Sequence, residues 1–264
     1  MPPATTPSTT TTTKNPKPRI QKAVNSLLKW KQTQLNSNPN TPTDDNHIYL
    51  LTTLTKTPRK EYTKTPFKIP LKHPLNISPE SCRTCLIIDD RPKTRSKKLT
   101  FEFASKKIQS LGIPMSKIVK FSKLKSDYRS FESKMGFFNA FDVFLADERV
   151  IGVLPGVLGK VFYKNKKKIP VAVDLGFDKD WKEEIEKGFS CGLLWLSNGT
   201  CSVVKVGKFG MGEGEIVENV VSAVSEVAEV VPRKWDGVQC MHLKFYDSLA
   251  LKIYEKKSKK SLGE

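Results

Sequence analysis

Residues 141–163, FDVFLADERVIGVLPGVLGKVFY, contain the pattern that decides the fold. The apolar residues 143–146 predict a buried strand, and 150–164 predict a helix that restarts at Pro155. The same rhythm continues on both sides, with strands predicted at 85–89, 117–121 and 169–175 and helices at 99–111 and 128–141. Because strands that alternate with helices form parallel βαβ units, we expect residues 83–176 to fold as a three-layer, Rossmann-like α/β domain.

The flanking residues follow a different order of elements. An amphipathic helix is predicted at 19–34, where Ile20, Val24 and Leu27 recur at helical spacing. Further strands are predicted at 47–56, 67–72, 192–196, 201–207 and 238–246, and helices at 181–187 and 213–231. The simplest arrangement is an outer α+β domain, made of 19–82 and 177–250, into which the α/β domain 83–176 is inserted. We expect residues 1–18 to be a disordered Thr/Pro-rich tail and residues 251–264 to be a basic tail.

The charge of the chain favours a polyanionic partner. Lys and Arg number 45 against 27 Asp and Glu, which gives a net charge of +18. Nucleic acid is the first candidate, with an anionic membrane surface or simple solubility as alternatives. The charge is also segregated, since 213–231 holds five glutamates and no base whereas 91–125 holds eleven bases and one acid. This separation indicates a face that binds a polyanion.

The sequence also carries signals of location. No apolar run approaches the roughly 20 residues that span a bilayer, so we expect no membrane partner. The five cysteines are odd in number and lie in apolar stretches, which is typical of reduced thiols in the cytosol or nucleus. The basic runs at 91–98 and 252–260 favour nuclear import, while the acid-poor N-terminus leaves an organellar transit peptide open.

Three aspartates offer the main alternative to nucleic-acid binding. Asp89, Asp90 and Asp147 follow predicted parallel strands, at the edge where open α/β sheets bind ligands, and clustered carboxylates can hold Mg²⁺. In the other interpretation, Asp89 and Asp90 simply end a strand and Asp147 caps a helix. The glycine run at 207–214 fits neither the dinucleotide nor the phosphate-loop motif, and the cysteine pair at 82 and 85 lacks a second pair of zinc ligands. We therefore expect no catalytic residues, no metal and no cofactor.

The candidate RNA-binding side chains come from strand faces. On the strand at 238–246, alternation places Met241, Leu243 and Phe245 inward and leaves His242, Lys244 and Tyr246 outward. Alternation at 67–72 likewise places Phe67, Ile69 and Leu71 inward. Lysines beside an aromatic ring suit phosphate contacts and base stacking, although a solvated strand face is the alternative for each residue. The candidates from this reasoning are Lys68, Lys72, Lys205, Lys208, Lys244 and Tyr246.

The order of elements resembles that of the ribosomal protein L1 family, over about residues 19–250. Residues 141–149, 154–160 and 167–171 are similar to the strand–helix–strand core of that family, particularly in its nucleolar branch, and 206–211 (Val-Gly-Lys-Phe-Gly-Met) to the turn before its long helix. The resemblance implies an L1-like two-domain fold, no enzymatic activity, and ribosomal RNA held by the outer domain with added contacts from the inserted one. By motif it adds Gly207 and Gly210 to Lys208 as RNA-binding residues.

Two segments depart from the ribosomal members of this family. Those members carry Thr-Met-Gly-Pro-Gly at the final strand, where this chain has Tyr246-Asp-Ser-Leu-Ala, and their acidic Asp-Glu-Thr-Val-Glu becomes Lys64-Thr-Pro-Phe-Lys. We therefore expect a monomeric nucleolar protein that binds ribosomal or pre-ribosomal RNA and acts with pre-60S factors in large-subunit assembly. The alternatives are a structural L1 subunit, cytosolic or organellar, a metal-dependent α/β regulator or enzyme, and a scaffold that binds proteins through the inserted domain.

Overall fold

The computed structural model describes residues 17–37, 46–59, 62, 65–75, 82–91, 101–164, 168–176, 178–196 and 198–256. The expected Thr/Pro-rich tail lies outside the described residues, apart from Lys17 and Pro18. So do most of the basic run at 91–98 and the C-terminal residues 257–264.

The helices and strands have the following bounds. The α-helices are α1 (Lys17–Ser37), α2 (Phe101–Ser110), α3 (Phe121–Asp127), α4 (Phe131–Ala140), α5 (Glu148–Ile151), α6 (Leu154–Leu158), α7 (Lys160–Tyr163), α8 (Trp181–Phe189) and α9 (Glu213–Val230). The strands are β1 (His47–Leu54), β2 (Phe67–Pro70), β3 (Thr84–Ile88), β4 (Lys117–Lys120), β5 (Val143–Asp147), β6 (Val171–Val173), β7 (Cys191–Leu194), β8 (Cys201–Lys208), β9 (Val238–Lys244) and β10 (Leu251–Glu255). A short 3-10 helix, Lys234–Gly237, precedes β9.

An antiparallel sheet of order β10-β9-β1-β8 forms the outer part of the fold. Alternate residues of its strands point to one face, where Leu50, Val204 and Leu243 are buried. The apolar stripes of α1 and α9 pack on that face and complete a single hydrophobic core. The short ribbon β2–β7 contributes Ile69 and Leu194 to the same core, which confirms the inward direction expected for Ile69.

A parallel sheet of order β4-β3-β5-β6 forms the second part of the fold. On one face, Phe144 of β5 packs with Phe162 of α7 among residues of α3, α4, α5 and α6. On the other face, Leu86 and Leu145 pack with buried residues of α2 and α8. Helices on both faces of a parallel sheet confirm the three-layer α/β architecture expected from the alternating pattern. No helix within the described ranges is long and apolar enough to cross a bilayer.

The expected domain limits need one correction at α8. We assigned this helix to the outer domain, because it follows residue 176, but Trp181 and Ile185 are buried against the parallel sheet. The indole nitrogen of Trp181 also donates a hydrogen bond to the carbonyl oxygen of Gly176, at 2.8 Å. The helix thus supplies the second cover of the parallel sheet. The boundary between residues 82 and 83 stays a prediction.

The C-terminal segment needs a second correction. Residues 251–264 were expected to form a basic tail, yet 251–255 form β10, which pairs with β9 at the edge of the sheet. Ile253 is fully buried and supplies the reason, because it packs into the outer core between exposed Lys252 and half-buried Tyr254. A register shift between Lys252 and Tyr254 interrupts the alternation of this short strand, which is why the sequence pattern does not reveal it.

Candidate nucleic-acid interface

The antiparallel sheet has a second face, opposite the one that α1 and α9 cover. We call this the open face and define it by the outward side chains of four strands. They are His47, Tyr49 and Leu51 of β1, Val203, Lys205 and Lys208 of β8, His242 and Lys244 of β9, and Lys252 of β10. These side chains are half-buried or exposed, whereas their inward neighbours in the strands are buried.

Tyr49 lies at the centre of one row of the open face. Its register partners are Lys205 of β8 on one side and Lys244 of β9 on the other. Residues directly opposite in an antiparallel pair have Cβ atoms about 4.5–5.5 Å apart, so an aromatic ring stands between two lysines. The sequence predicts both lysines as RNA-binding residues but gives no sign of Tyr49. Since residues 48–51 are all apolar or aromatic, the alternation in β1 does not reveal which set faces outward.

A β-bulge brings a further lysine onto the open face. Lys205 and Lys208 lie three residues apart, so a regular strand would direct them to opposite faces. The register between β1 and β8 shifts between Ile48 and Tyr49, so that His47 pairs with Lys208 and Tyr49 with Lys205. An extra residue of this kind redirects the side chains that follow it. Both lysines therefore share the open face with His47.

The two glycines expected to touch RNA have different surroundings. Gly207 is buried beneath the start of α9, where an added Cβ would lie 3.2 Å from Cγ2 of Ile216. Its lack of a side chain serves internal packing, and its contact with RNA stays a prediction. Gly210 has a φ of 104° and open space around its Cα, in the turn between β8 and α9. This backbone conformation favours glycine, since L-residues rarely adopt it.

Three other candidates are placed away from the central row. Tyr246 is 64% exposed just beyond the end of β9, which confirms its outward direction. Lys68 is exposed on β2, which belongs to the ribbon and not to the four-stranded sheet. Lys72 faces α9, and its Nζ lies 3.6 Å from Oε2 of Glu218. Lys68 and Lys72 therefore do not join the set around Tyr49, because the ribbon packs on the other face of the sheet.

The carboxyl edge of the parallel sheet, where a metal site was considered, holds two ion pairs. Asp89 follows β3 and receives bonds from Nε and Nη2 of Arg91, at 2.8 and 3.0 Å. Asp147 ends β5 and receives a bond from Nε of Arg149, at 3.2 Å. Nη2 of Arg91 also donates to the carbonyl oxygen of Arg149, at 2.8 Å, which links the two pairs. The third aspartate, Asp90, accepts hydrogen bonds from the backbone and hydroxyl of Ser122 at the start of α3.

The pKa values of these two aspartates shift in opposite net directions, although burial raises both. Burial raises the pKa of the Asp89 carboxyl, but the hydrogen bonds and charge of Arg91 outweigh it and leave the pKa below its usual value. For Asp147, burial raises the pKa most strongly, and the bonds and charge of Arg149 offset it only in part. Among the described residues, no three His, Cys, Asp or Glu side chains form a group that could hold a metal ion. Arginines occupy the positions around these carboxylates where a cation would bind.

Comparison with known proteins gives this geometry a family. The model of the ribosomal protein L1p/L10e family matches residues 27–249. The chain belongs to this family. The L1 family has a two-domain fold, and the antiparallel and parallel sheets described above correspond to its two parts.

Several L1-family relatives are similar to this chain over long stretches. Ribosomal L1 domain-containing protein 1 of Mus musculus is 32% identical over 238 residues, which is 89% of this chain and 51% of the relative. A Schizosaccharomyces pombe protein named for ribosome biogenesis is 33% identical over 201 residues, which is 75% of this chain and 51% of the relative. The large ribosomal subunit protein uL1 of Chlamydomonas reinhardtii is 28% identical over 116 residues, which is 44% of this chain and 52% of the relative. The chain thus spans about half the length of these relatives.

Proposed function

We propose that this L1-family protein binds pre-ribosomal RNA through the open face and acts in assembly of the large ribosomal subunit. The observation that carries the proposal is the row in which Tyr49 stands between Lys205 and Lys244. Lysines suit phosphate groups and the aromatic ring suits a stacked base, so one row can contact both parts of a nucleotide. Lys208 and Lys252 extend the cationic surface around this row, and His47 and His242 add ring nitrogens that can form hydrogen bonds.

The charge of α9 supports the open face over the surface of that helix. The outward side of α9 carries Glu213, Glu215, Glu218 and Glu229, all of them exposed. α1 packs on the same face of the sheet as α9 but carries bases and no acid, so the acidic surface is that of α9 alone. RNA is repelled by α9 and attracted by the open face.

The assembly role draws on the relatives as well as on the charge. Three relatives that match three quarters or more of the chain are named for the L1 domain or for ribosome biogenesis. The shorter match to a ribosomal subunit protein supports the alternative of a permanent ribosomal component. We propose that the protein is located in the nucleolus, where it acts as a monomer within a ribonucleoprotein and contacts pre-60S factors. We also propose that it has no catalytic activity.

Charge reversal on the open face tests the RNA site. We expect Lys208→Glu and Lys244→Glu each to weaken RNA binding and to lower the slope of log affinity against log salt by about 0.7–0.9. Lys22→Glu is the matched control, because Lys22 is exposed on α1, which covers the inward face. Fluorescence anisotropy over a salt series measures both quantities. Equal effects of all three substitutions would show that only net charge matters, and would refute the placement on the open face.

Crosslinking in cells tests the partner. We expect the protein to crosslink to precursor rRNA of the large subunit and a fluorescent fusion to accumulate in the nucleolus. Stoichiometric presence in mature ribosomes after a salt wash would decide for the structural subunit instead. Accumulation of the fusion in plastids or mitochondria would contradict the nucleolar location.

A further inference from the structure

A second concentration of positive charge lies on the α/β part of the molecule and shares no residue with the open face. Residues 101–134 contain eight lysines and arginines and three acids. We call the eight cations the edge belt. They are Lys106 and Lys107 of α2, Lys117 and Lys120 of β4, Lys123 and Lys125 of α3, Arg129, and Lys134 of α4. Six of these eight side chains are exposed and the other two are half-buried.

The topology explains why these cations form a belt. Among the strands that the structure describes, β4 stands at the edge of the parallel sheet and pairs with β3 alone. α2 packs on one face of the sheet and α3 and α4 pack on the other. The belt therefore runs from one helix layer, across the sheet edge, to the other helix layer.

The cations of the edge belt have no carboxylate partners among the described residues. Some lysines elsewhere do form ion pairs: Lys187 with Glu183 at 2.8 Å, Lys234 with Glu229 at 2.7 Å and Lys252 with Glu255 at 3.0 Å. The belt gathers eight cations without such partners on consecutive elements of the chain. Eight unpaired cations on adjoining elements repel one another, and this repulsion is relieved when a polyanion binds.

Protection of the sheet edge accounts for only part of this arrangement. Lysines on an exposed edge strand discourage pairing with another chain, and Lys117 and Lys120 suit that role. The cations of α2, α3 and α4 lie on helices, where no strand edge needs protection. The belt as a whole therefore calls for a second explanation.

Aromatic side chains accompany the cations along the belt. Phe131 is 66% exposed at the start of α4, two residues after Arg129. The Nζ atom of Lys120 lies 5.3 Å from the centre of the Phe101 ring, and that of Lys107 lies 5.9 Å from the Phe103 ring. Phe103 is itself 41% exposed. Exposed rings beside unpaired lysines suit unstacked bases and their phosphates, which is the recognition pattern of single-stranded nucleic acid.

We propose that the edge belt binds a second, single-stranded segment of the RNA whose first segment lies on the open face. This inference rests on the proposed function and extends it to a different part of the molecule. Both parts of a nucleotide have partners in the belt. Phosphates can bind the cations, and bases can stack on Phe131 and Phe103. The protein would then hold two separate stretches of one precursor RNA.

Paired charge reversals test the belt. The belt variant is Lys123→Glu with Lys125→Glu, since both lysines are exposed on α3. The matched control is Lys22→Glu with Lys29→Glu, two exposed lysines of α1, which packs on the core of the outer part. The probes are oligouridines of about 40 and about 10 nucleotides, because single-strand sites cover roughly 4–16 nucleotides per module. Circular dichroism and thermal unfolding establish that each variant is folded.

We expect the belt variant to bind the long oligouridine more weakly and to lower its salt slope by about 0.7 for each lost phosphate contact. Binding of the short oligouridine, which can occupy the open face alone, should stay unchanged. Phe131→Ala should weaken binding of the long oligouridine with little change in the salt dependence of that binding, because the substitution removes stacking and no charge. The control should leave both probes unaffected. Equal effects of belt and control variants on the long probe would overturn the inference.

The same measurements separate this inference from the proposed function. Loss of binding in Lys244→Glu but not in the belt variant would overturn the second surface and leave the open face intact. Loss in the belt variant but not in Lys244→Glu would support the belt and refute the open face as the main site. Loss in neither would refute both.

Discussion

The ion pairs of Asp89 and Asp147 predict opposite responses to pH. The lowered pKa of Asp89 means that its ionised form stabilises the fold, and this contribution is lost as pH falls through the lowered value. The raised pKa of Asp147 means that its contribution is present at low pH and is lost as pH rises through the raised value. Asp89→Asn should therefore cost about 1.5–3 kcal/mol at neutral pH, the usual range for hydrogen bonds to a charged group, and less in acid.

The matched variant at this site is Asp147→Asn, which retains an oxygen that can cap α5. The unsubstituted protein loses the contribution of protonated Asp147 as pH rises, whereas the variant has no such contribution to lose. The variant should therefore gain stability relative to the unsubstituted protein as pH rises from about 4 to neutral. Urea unfolding at a series of pH values measures both differences. If the free energies of unfolding of both variants, relative to the unsubstituted protein, changed with pH in the same direction, the opposite pKa shifts of Asp89 and Asp147 would be contradicted.

At Gly207 the expected change is a loss of stability. Gly207→Ala places a Cβ against Ile216 and should cost about 1–3 kcal/mol, as overpacking of a core does. The salt slope of RNA binding should not change, because the Cα faces α9. Thermal unfolding and anisotropy distinguish this result from a direct RNA role, in which affinity would fall without loss of stability. The family motif marked this glycine from sequence, but only the packing of α9 reveals its role.

β10 is the element whose contribution is easiest to isolate. Ile253 is fully buried, so Ile253→Ala should lower the free energy of unfolding by about 2–5 kcal/mol. Lys252→Ala is the control, since it removes only an exposed ion pair with Glu255 and should cost about 0–1 kcal/mol. Chemical denaturation gives both values. Similar costs for the two substitutions would show that β10 contributes little to the core.

The elements that the sequence predicts well are those with a strong period. The parallel strands and α9 follow from apolar runs and a long valine stripe, and the structure confirms them. β10 and the position of α8 do not follow, for different physical reasons. A register shift between Lys252 and Tyr254 interrupts the alternation of β10. The apolar stripe of α8 shows that one side of the helix is covered, but not by which sheet. The open-face partners of Tyr49 depend on long-range register and a bulge, which local patterns do not encode.

Separate cores predict the unfolding behaviour of the whole molecule. The antiparallel sheet has one core, and the parallel sheet has its own on each face. Calorimetry should therefore resolve two transitions, since units with independent cores unfold independently when their interface is modest. Ile253→Ala should lower only the transition of the outer part. A short oligouridine should raise only that same transition, because a ligand stabilises the unit that binds it. A single transition that moves as one in all conditions would contradict this independence.

The central place of β1 in the outer sheet has a consequence for synthesis of the chain. Tyr49 leaves the ribosome long before its partners Lys205 and Lys244, whereas all strands of the parallel sheet emerge within one continuous stretch. The α/β part can thus fold during translation, while both edges of β1 stay unpaired until β8 and β9 have been synthesised. Such edges invite pairing with other chains, so the nascent protein is most exposed to aggregation between the emergence of β1 and that of β9. Slower translation after residue 190 would lengthen that interval. A chaperone that covers β1 would reduce aggregation during it.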